Sequence, residues 1–254
     1  MKVVILAGGF GTRLSEITDI IPKPMVEIGG VPILIHIMNI YAAKGFKDFI
    51  IPIGYKAQYI KNYFLNLPYN SNDFSINLNN GKIKKITNNK YDWNVTLVDT
   101  GIHTMTGGRV YKLKKFLKDE TFMLTYGDGL ANIDIKKLLS FHKKNKKLVT
   151  ITTVRPSARF GHVELKENKV ISFKEKPQIN TGWINGGFFV MQRTFLNYLN
   201  SDQEILERDP LEKISKINQL VAYKHEGFWQ CMDTLRDKIY LEELWKKNKA
   251  PWKL

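Results

Sequence analysis

A single cysteine, Cys231, stands in 254 residues, so no disulfide framework can hold this fold, and a reducing compartment suits the chain. Long apolar runs are missing as well. No segment approaches the roughly 20 apolar residues of a membrane span. The run from Met1 to Ala7 holds an apolar stretch of only about five residues, against the roughly 7–15 of a secretory leader, before Gly8, Gly9 and Gly11 end it. These absences place the chain in the cytoplasm with no membrane partner. Internal repeats, long low-complexity tracts and clear linkers are also lacking. Acidic residues are scarce: 24 against 39 basic ones leave a net charge of +15. Such a charge can draw in polyanions or a nucleotide, yet stretches such as Lys143-Lys144-Asn145-Lys146-Lys147 read as solvated faces. The aromatic–basic interleaving of single-strand binders is absent, so no nucleic-acid partner is expected. His36, His103, His142, His162 and His225 show no ligand spacing with Cys231 or with one another.

What is present is a chain with 43% hydrophobic residues, enough to bury a large core without staples. Strand-like runs at 2–7, 48–53, 94–99, 122–126 and 149–154 alternate with helical patterns near 32–44, 56–66, 108–118 and 134–145. Tyr59, Ile60, Tyr63, Phe64 and Leu67 form the apolar stripe of the second helix. This alternation predicts an α/β fold, a doubly wound, mostly parallel, Rossmann-like sheet. Short strands at 162–165, 170–174 and 187–191 predict a smaller mixed or antiparallel portion laid onto it, and 234–247 is a periodic helix. Residues 67–93 are polar, Asn-rich and weakly alternating, the pattern of a hairpin or lid. The whole is read as one domain, 1–254, with a first half to about 155 and a second from about 156.

The sharpest local signal is Leu6-Ala7-Gly8-Gly9-Phe10-Gly11-Thr12-Arg13-Leu14 at the end of the first strand. Glycines there let backbone N–H groups close on phosphate oxygens, at the sheet edge where α/β ligands bind. Arg13 adds a planar cationic donor, and Pro22-Lys23-Pro24 presents an ammonium from a stiff segment. A dinucleotide fingerprint would need glycine where Leu14 stands. A Walker loop would need Gly-Lys-Ser/Thr where Thr12-Arg13 stands.

Together these residues resemble the signature of the sugar-phosphate nucleotidyltransferases, and within them the subgroup that makes CDP-glucose. Met25 to Gly30, Trp93 to Gly101, Met105 to Arg109, Tyr126 to Gly129, Ile184 to Phe189 and Gly227 to Asp237 carry the resemblance, which runs end to end. The stretch 66–92 matches least. The resemblance implies CTP and a sugar 1-phosphate as substrates, Mg²⁺ as cofactor and a homo-oligomer, with a hexamer the form that subgroup suggests.

A carboxylate beside a triphosphate is repulsive unless a cation bridges them, and Mg²⁺ accepts one or two carboxylates plus phosphate oxygens. Asp128 ends an apolar strand at the glycine-loop edge, and Asp233 is the best second carboxylate; the resemblance assigns both to the metal. On their own, Asp128 reads equally as a turn residue and Asp233 as a helix N-cap, while Asp134 and Asp237 read as an N-cap and a first-turn charge. By resemblance, Leu6, Ala7, Gly8, Gly9, Gly11, Thr12, Thr104, Arg109 and Gly127 contact the nucleotide. Glu175, Lys176, Asn185 and Gly186 similarly hold the sugar phosphate. Arg109 also reads as an ordinary first-turn residue, and Glu175 and Lys176 as a solvated strand edge. The expected chemistry is in-line displacement at the α-phosphorus, with Arg13, Lys23, Asp128 and Asp233 as the catalytic set. Lys23→Ala is expected to lower turnover by roughly 10²–10³ with the fold intact. Alternatives are the same reaction with dTTP, UTP or another sugar phosphate, and a non-catalytic nucleotide-binding regulator.

Overall fold

The computed structural model describes residues 1–87, 91–118, 120–156, 162–167, 169–174 and 182–253. Its centre is a seven-stranded sheet. The strands are β1 (Lys2–Leu6), β2 (Asp48–Ile53), β3 (Asn94–Asp99), β4 (Thr121–Tyr126), β5 (Val149–Val154), β6 (Ile184–Gln192) and β7 (Leu220–His225), in the order β7-β5-β6-β4-β1-β2-β3. β1 runs parallel to β2 and β4, β2 to β3, and β5 to β7. Of the seven, β6 is antiparallel to both its neighbours, β4 and β5. The mostly parallel sheet expected from strand–helix alternation is therefore present. One placement differs: the strand at 187–191, expected in the smaller portion, lies inside the main sheet. The smaller antiparallel pair that remains is His162–Lys166 with Lys169–Lys174.

Alternating side chains of β1 feed two different cores, as the pleat requires. Val3 and Ile5 join one cluster with Phe49, Ile51, Met123, Phe188 and Val190. Val4 and Leu6 join the other with Ile50, Phe122, Leu124, Phe189 and Met191. Helices cover both faces. α1 (Ile33–Ala42), α2 (Ala57–Asn70), α4 (Ile135–Asn145) and α6 (Leu235–Lys246) feed the first cluster, and α3 (Thr106–Lys112) and α5 (Asp209–Lys216) the second. In α1, Ile33 to Met38, Ile40 and Tyr41 are all buried, the pattern of a helix enclosed on most sides rather than of an amphipathic one. In α2 only Ile60 is fully buried, and Tyr59, expected in the stripe, is exposed. The 67–93 stretch contains an antiparallel hairpin, Phe74–Ile76 with Ile83–Lys85. Among the described residues no helix is long and apolar enough to cross a membrane.

Candidate active site

β1 and β4 are adjacent and parallel, with Leu6 opposite Tyr126, so the glycine loop and Asp128 emerge side by side at the same sheet edge. No described backbone carbonyl accepts from the N–H groups of Gly9, Phe10 or Gly11, which leaves them for a ligand. Gly11 adopts φ +70°, a conformation glycine enters without steric cost. Its carbonyl and that of Leu14 both accept from the Thr18 hydroxyl, and this closes the loop. The Pro22-Lys23-Pro24 segment lies directly on Gly127. A Cβ at that glycine would stand 2.7 Å from the Leu6 carbonyl and 3.2 Å from Pro24, so only glycine lets Lys23 approach so closely.

The two aspartates, 105 positions apart in sequence, are brought together by a very short ladder. Gly129–Ala131 pairs with Trp229–Cys231, Gly129 opposite Cys231, and Met232 N–H donates to the Asp128 carbonyl at 2.8 Å. Lys23 Nζ then lies 2.6 Å from Asp128 Oδ2 and 2.6 Å from Asp233 Oδ1, while Arg13 Nη1 reaches Asp233 Oδ2 at 2.5 Å. Asp233 is not the N-cap of α6. Thr234 caps that helix in a reciprocal capping box with Asp237, which leaves the Asp233 carboxylate to the cleft. Burial pushes the Lys23 ammonium down, but the Asp128 and Asp233 carboxylates outweigh burial and hold it above its usual range. Burial likewise pushes Asp233 up, and Lys23 and Arg13 outweigh it, leaving the carboxyl below the usual range. The pair is charged on both sides. Lys23 is only 8% exposed, so its removal would leave the buried Asp233 carboxylate with Arg13 alone and the half-buried Asp128 carboxylate to solvent, and some loss of stability is expected beside the loss of turnover.

The family model for nucleotidyl transferases matches residues 2–236. The chain belongs to the nucleotidyl transferase family. It is 49% identical over 254 residues to the glucose-1-phosphate cytidylyltransferase of Salmonella typhimurium, covering 100% of this chain and 99% of that protein. The Salmonella typhi enzyme of the same name is also 49% identical over the same shares. Among solved structures, HddC from Yersinia pseudotuberculosis superposes with a TM-score of 0.71 at 25% identity, over 96% of this chain and 99% of that one.

In this nucleotidyl transferase a cleft of about 600 Å³ runs from the glycine loop to β6. Leu6, Ala7, Gly8, Gly9, Gly11, Thr12, Arg13, Lys23, Thr104, Arg109, Gly127, Asp128, Asn185, Gly186 and Asp233 all line it. Glu175 and Lys176 lie outside the described residues. Among the described residues no three His, Cys, Asp or Glu side chains gather into a self-sufficient metal cage. Asp128 and Asp233 meet on one cationic nitrogen, and two carboxylates so placed fit the donor set that Mg²⁺ accepts beside phosphate oxygens and water.

Along the 100–109 wall of the cleft the polar side chains are committed to their own surroundings. Arg109 donates through Nη2 to the Gly8 carbonyl at 2.8 Å and through Nη1 to Thr100 Oγ1 at 2.6 Å and the Gly101 carbonyl at 2.9 Å. Burial pushes its guanidinium down. Arg109 therefore ties the glycine loop to the 100–102 turn, and a Cβ on Gly8 would collide with it at 2.2 Å. Thr104 Oγ1 donates to the Thr100 carbonyl at 2.5 Å. Opposite, Trp229 Nε1 donates to the Gly186 carbonyl at 2.8 Å, and Asn185 accepts from Gly187 N–H at 2.8 Å. Cys231 lines the cleft, but burial, reinforced by Asp233, pushes its thiol up to about 12, which makes it a poor nucleophile. Sequence reasoning missed Glu207 and Trp229 on the cleft wall. Trp229 had a signal in the Gly227–Asp237 motif; Glu207 had none.

Proposed function

We propose that the cleft transfers a cytidylyl group from CTP to α-D-glucose 1-phosphate, giving CDP-glucose and pyrophosphate. The observation that carries this reading is the convergence of Lys23, Asp128, Asp233 and Arg13 beside unpaired glycine-loop N–H groups. The near-full-length likeness to enzymes named for that substrate pair supports the choice of nucleotide and sugar.

The chemistry asks little of the protein beyond placement. A sugar-phosphate oxygen is already ionised at neutral pH, so it attacks the α-phosphorus in line without a general base, and pyrophosphate leaves. The glycine-loop N–H groups and Arg13 fix the triphosphate, which makes the encounter effectively intramolecular. Lys23 and Arg13 place positive charge where the pentacoordinate phosphorus gathers negative charge. Asp128 and Asp233 are the residues that would hold Mg²⁺, which when bound supplies charge neutralisation between the phosphates and these carboxylates. Asn185, the Gly186 backbone, Glu175 and Lys176 would receive the sugar phosphate. A homo-oligomer in solution belongs to the same reading.

Purified protein incubated with glucose 1-phosphate, Mg²⁺ and each common triphosphate in turn, with pyrophosphate measured, tests the reading. Release with CTP well above that with dTTP, UTP, ATP or GTP supports it. Equal or greater release with another nucleotide reassigns the base, and none with any triphosphate leaves only nucleotide binding.

A further inference from the structure

Met105-Thr106-Gly107-Gly108-Arg109 stands out in the sequence, and the structure shows what its glycines permit. They lie inside the first turn of α3, not in a loop over a ligand, and the 202–206 segment presses against them. A Cβ on Gly108 would meet the Asp202 carbonyl at 2.1 Å, and one on Gly107 the Glu204 carbonyl at 2.8 Å. Met105 N–H donates to the Asp202 carbonyl at 2.9 Å and Gly108 N–H to that of Glu204 at 3.0 Å. Leu206 N–H donates to Thr106 Oγ1 at 3.0 Å. The segment is thus bolted to the helix start, and the next side chain, Glu207, is delivered into the cleft wall.

There its carboxylate accepts from the Tyr126 hydroxyl at 2.5 Å through Oε1 and from the Thr106 hydroxyl at 2.7 Å through Oε2. Asn185 Nδ2 in turn donates to the Tyr126 oxygen at 3.0 Å. The Tyr126 hydroxyl, 2.5 Å from the carboxylate, is the donor of this pair. An ionised carboxylate has about four acceptor sites and no donor; two are used here, both by neutral hydroxyls. A carboxylate in a phosphate-binding cleft repels the phosphates, so its remaining lone pairs suit the uncharged, hydroxyl-bearing part of a substrate. Its contacts through Tyr126 to Asn185 place it on the sugar side rather than the triphosphate side.

We propose that Glu207 is a specificity-determining residue that accepts a hydroxyl of the hexose, held for that role by Tyr126 and Thr106. The inference rests on the sugar-phosphate reading of the cleft and adds to it the residue that selects the sugar.

Glu207→Gln keeps the shape and the acceptor for Tyr126 but replaces one oxygen by a donor. Pyrophosphate-release kinetics with this variant should show KM for glucose 1-phosphate raised roughly 10- to 100-fold, the range for a lost hydrogen bond to a charged group, with KM for CTP unchanged. With a panel of monodeoxy glucose 1-phosphates, the wild-type protein should discriminate sharply against one position, and the variant should lose that discrimination. Unchanged kinetics in the variant overturn the inference, as does a raised KM for CTP alone or lost discrimination between CTP and its 2′- or 3′-deoxy forms, which would move Glu207 to the ribose. A parallel fall in melting temperature and in every kinetic constant makes the network merely structural and also overturns it. Should the variant fail to fold, the wild-type panel still decides, since uniform acceptance of all deoxy sugars refutes hydroxyl selection. A wild-type protein that releases no pyrophosphate with any sugar 1-phosphate overturns the underlying reading; turnover alongside an unaffected variant overturns this inference alone.

Discussion

Lys23→Met removes one positive charge while retaining a long apolar stem, and the structure sets the size of its effect. The ammonium is 2.6 Å from each of two carboxylates, and Lys23 is only 8% exposed. Breaking a fully buried ion pair costs about 3–5 kcal/mol, because the abandoned charge stays desolvated. Here Asp128 keeps 25% side-chain exposure and Asp233 keeps Arg13, so solvent and the remaining cation recover part of the loss. About 1–3 kcal/mol remains once that screening is counted. For a chain of this length that corresponds to a drop of roughly 3–10 °C in Tm. Catalysis should suffer more: in the proposed reaction the same charge faces the reacting phosphorus, and its loss should lower kcat by roughly 10²–10³. Thermal melts with and without Mg²⁺, beside pyrophosphate-release kinetics, separate the two effects. A cation able to sit between the aspartates should restore part of the melting temperature but little of kcat. An unaltered melting temperature together with kcat within about threefold of wild type would refute the reasoning, since neither the buried pair nor the transition-state contact would then exist.

Further outcomes follow from other parts of the molecule. His142 is fully buried against Thr150 and Gln192, and burial pushes its imidazole down to about 4. The unfolded chain takes up that proton near pH 6.5 and the folded one does not, so this contribution is complete above pH 6.5 and is lost as pH falls toward 4. Urea denaturation should show about 3 kcal/mol of it disappearing over that range, and a His142→Gln variant should show a flatter profile; identical profiles contradict the assignment. Gly127→Ala forces a methyl against the Leu6 carbonyl and Pro24, and should cost about 1–3 kcal/mol in denaturant melts along with most turnover. Full activity would mean the Lys23 segment tolerates displacement. Cys231 should resist iodoacetamide at pH 8 in the native state and react after unfolding, because its thiol is pushed up to about 12; rapid native alkylation would show an open, ionisable thiol.

The first-half sheet is legible in the sequence because buried parallel strands read as unbroken apolar runs, as Val3-Val4-Ile5-Leu6 and Phe49-Ile50-Ile51 do. β7 was not legible: Leu220–His225 is an edge strand of intermediate burial, and its alternation is too weak to separate from a loop. The start of α3 was placed late because Gly107-Gly108 lowers helix propensity, yet those glycines are held in the helix by the 202–206 segment. Asp128 and Asp233 could be nominated from their motifs, but their meeting was implied by the resemblance alone and by no local pattern. The ladder joining Gly129–Ala131 to Trp229–Cys231 is three residues long, too short to carry a period. Arg109 could be read as a cleft residue, whereas its hydrogen bonding to Gly8, Thr100 and Gly101 depends on a turn that no local pattern encodes. Glu207 lies in a polar stretch before α5, and only the packing against Gly107 and Gly108 gives it a place.

Calorimetric titration of Mg²⁺ and a non-hydrolysable CTP analogue into wild type, Asp128→Asn and Asp233→Asn tests most directly whether nucleotide and metal share the cleft between glycine loop and aspartates. The account predicts that each of metal and nucleotide tightens the other's binding in the wild-type protein and that either asparagine abolishes this coupling. Equal coupling in all three proteins would contradict it.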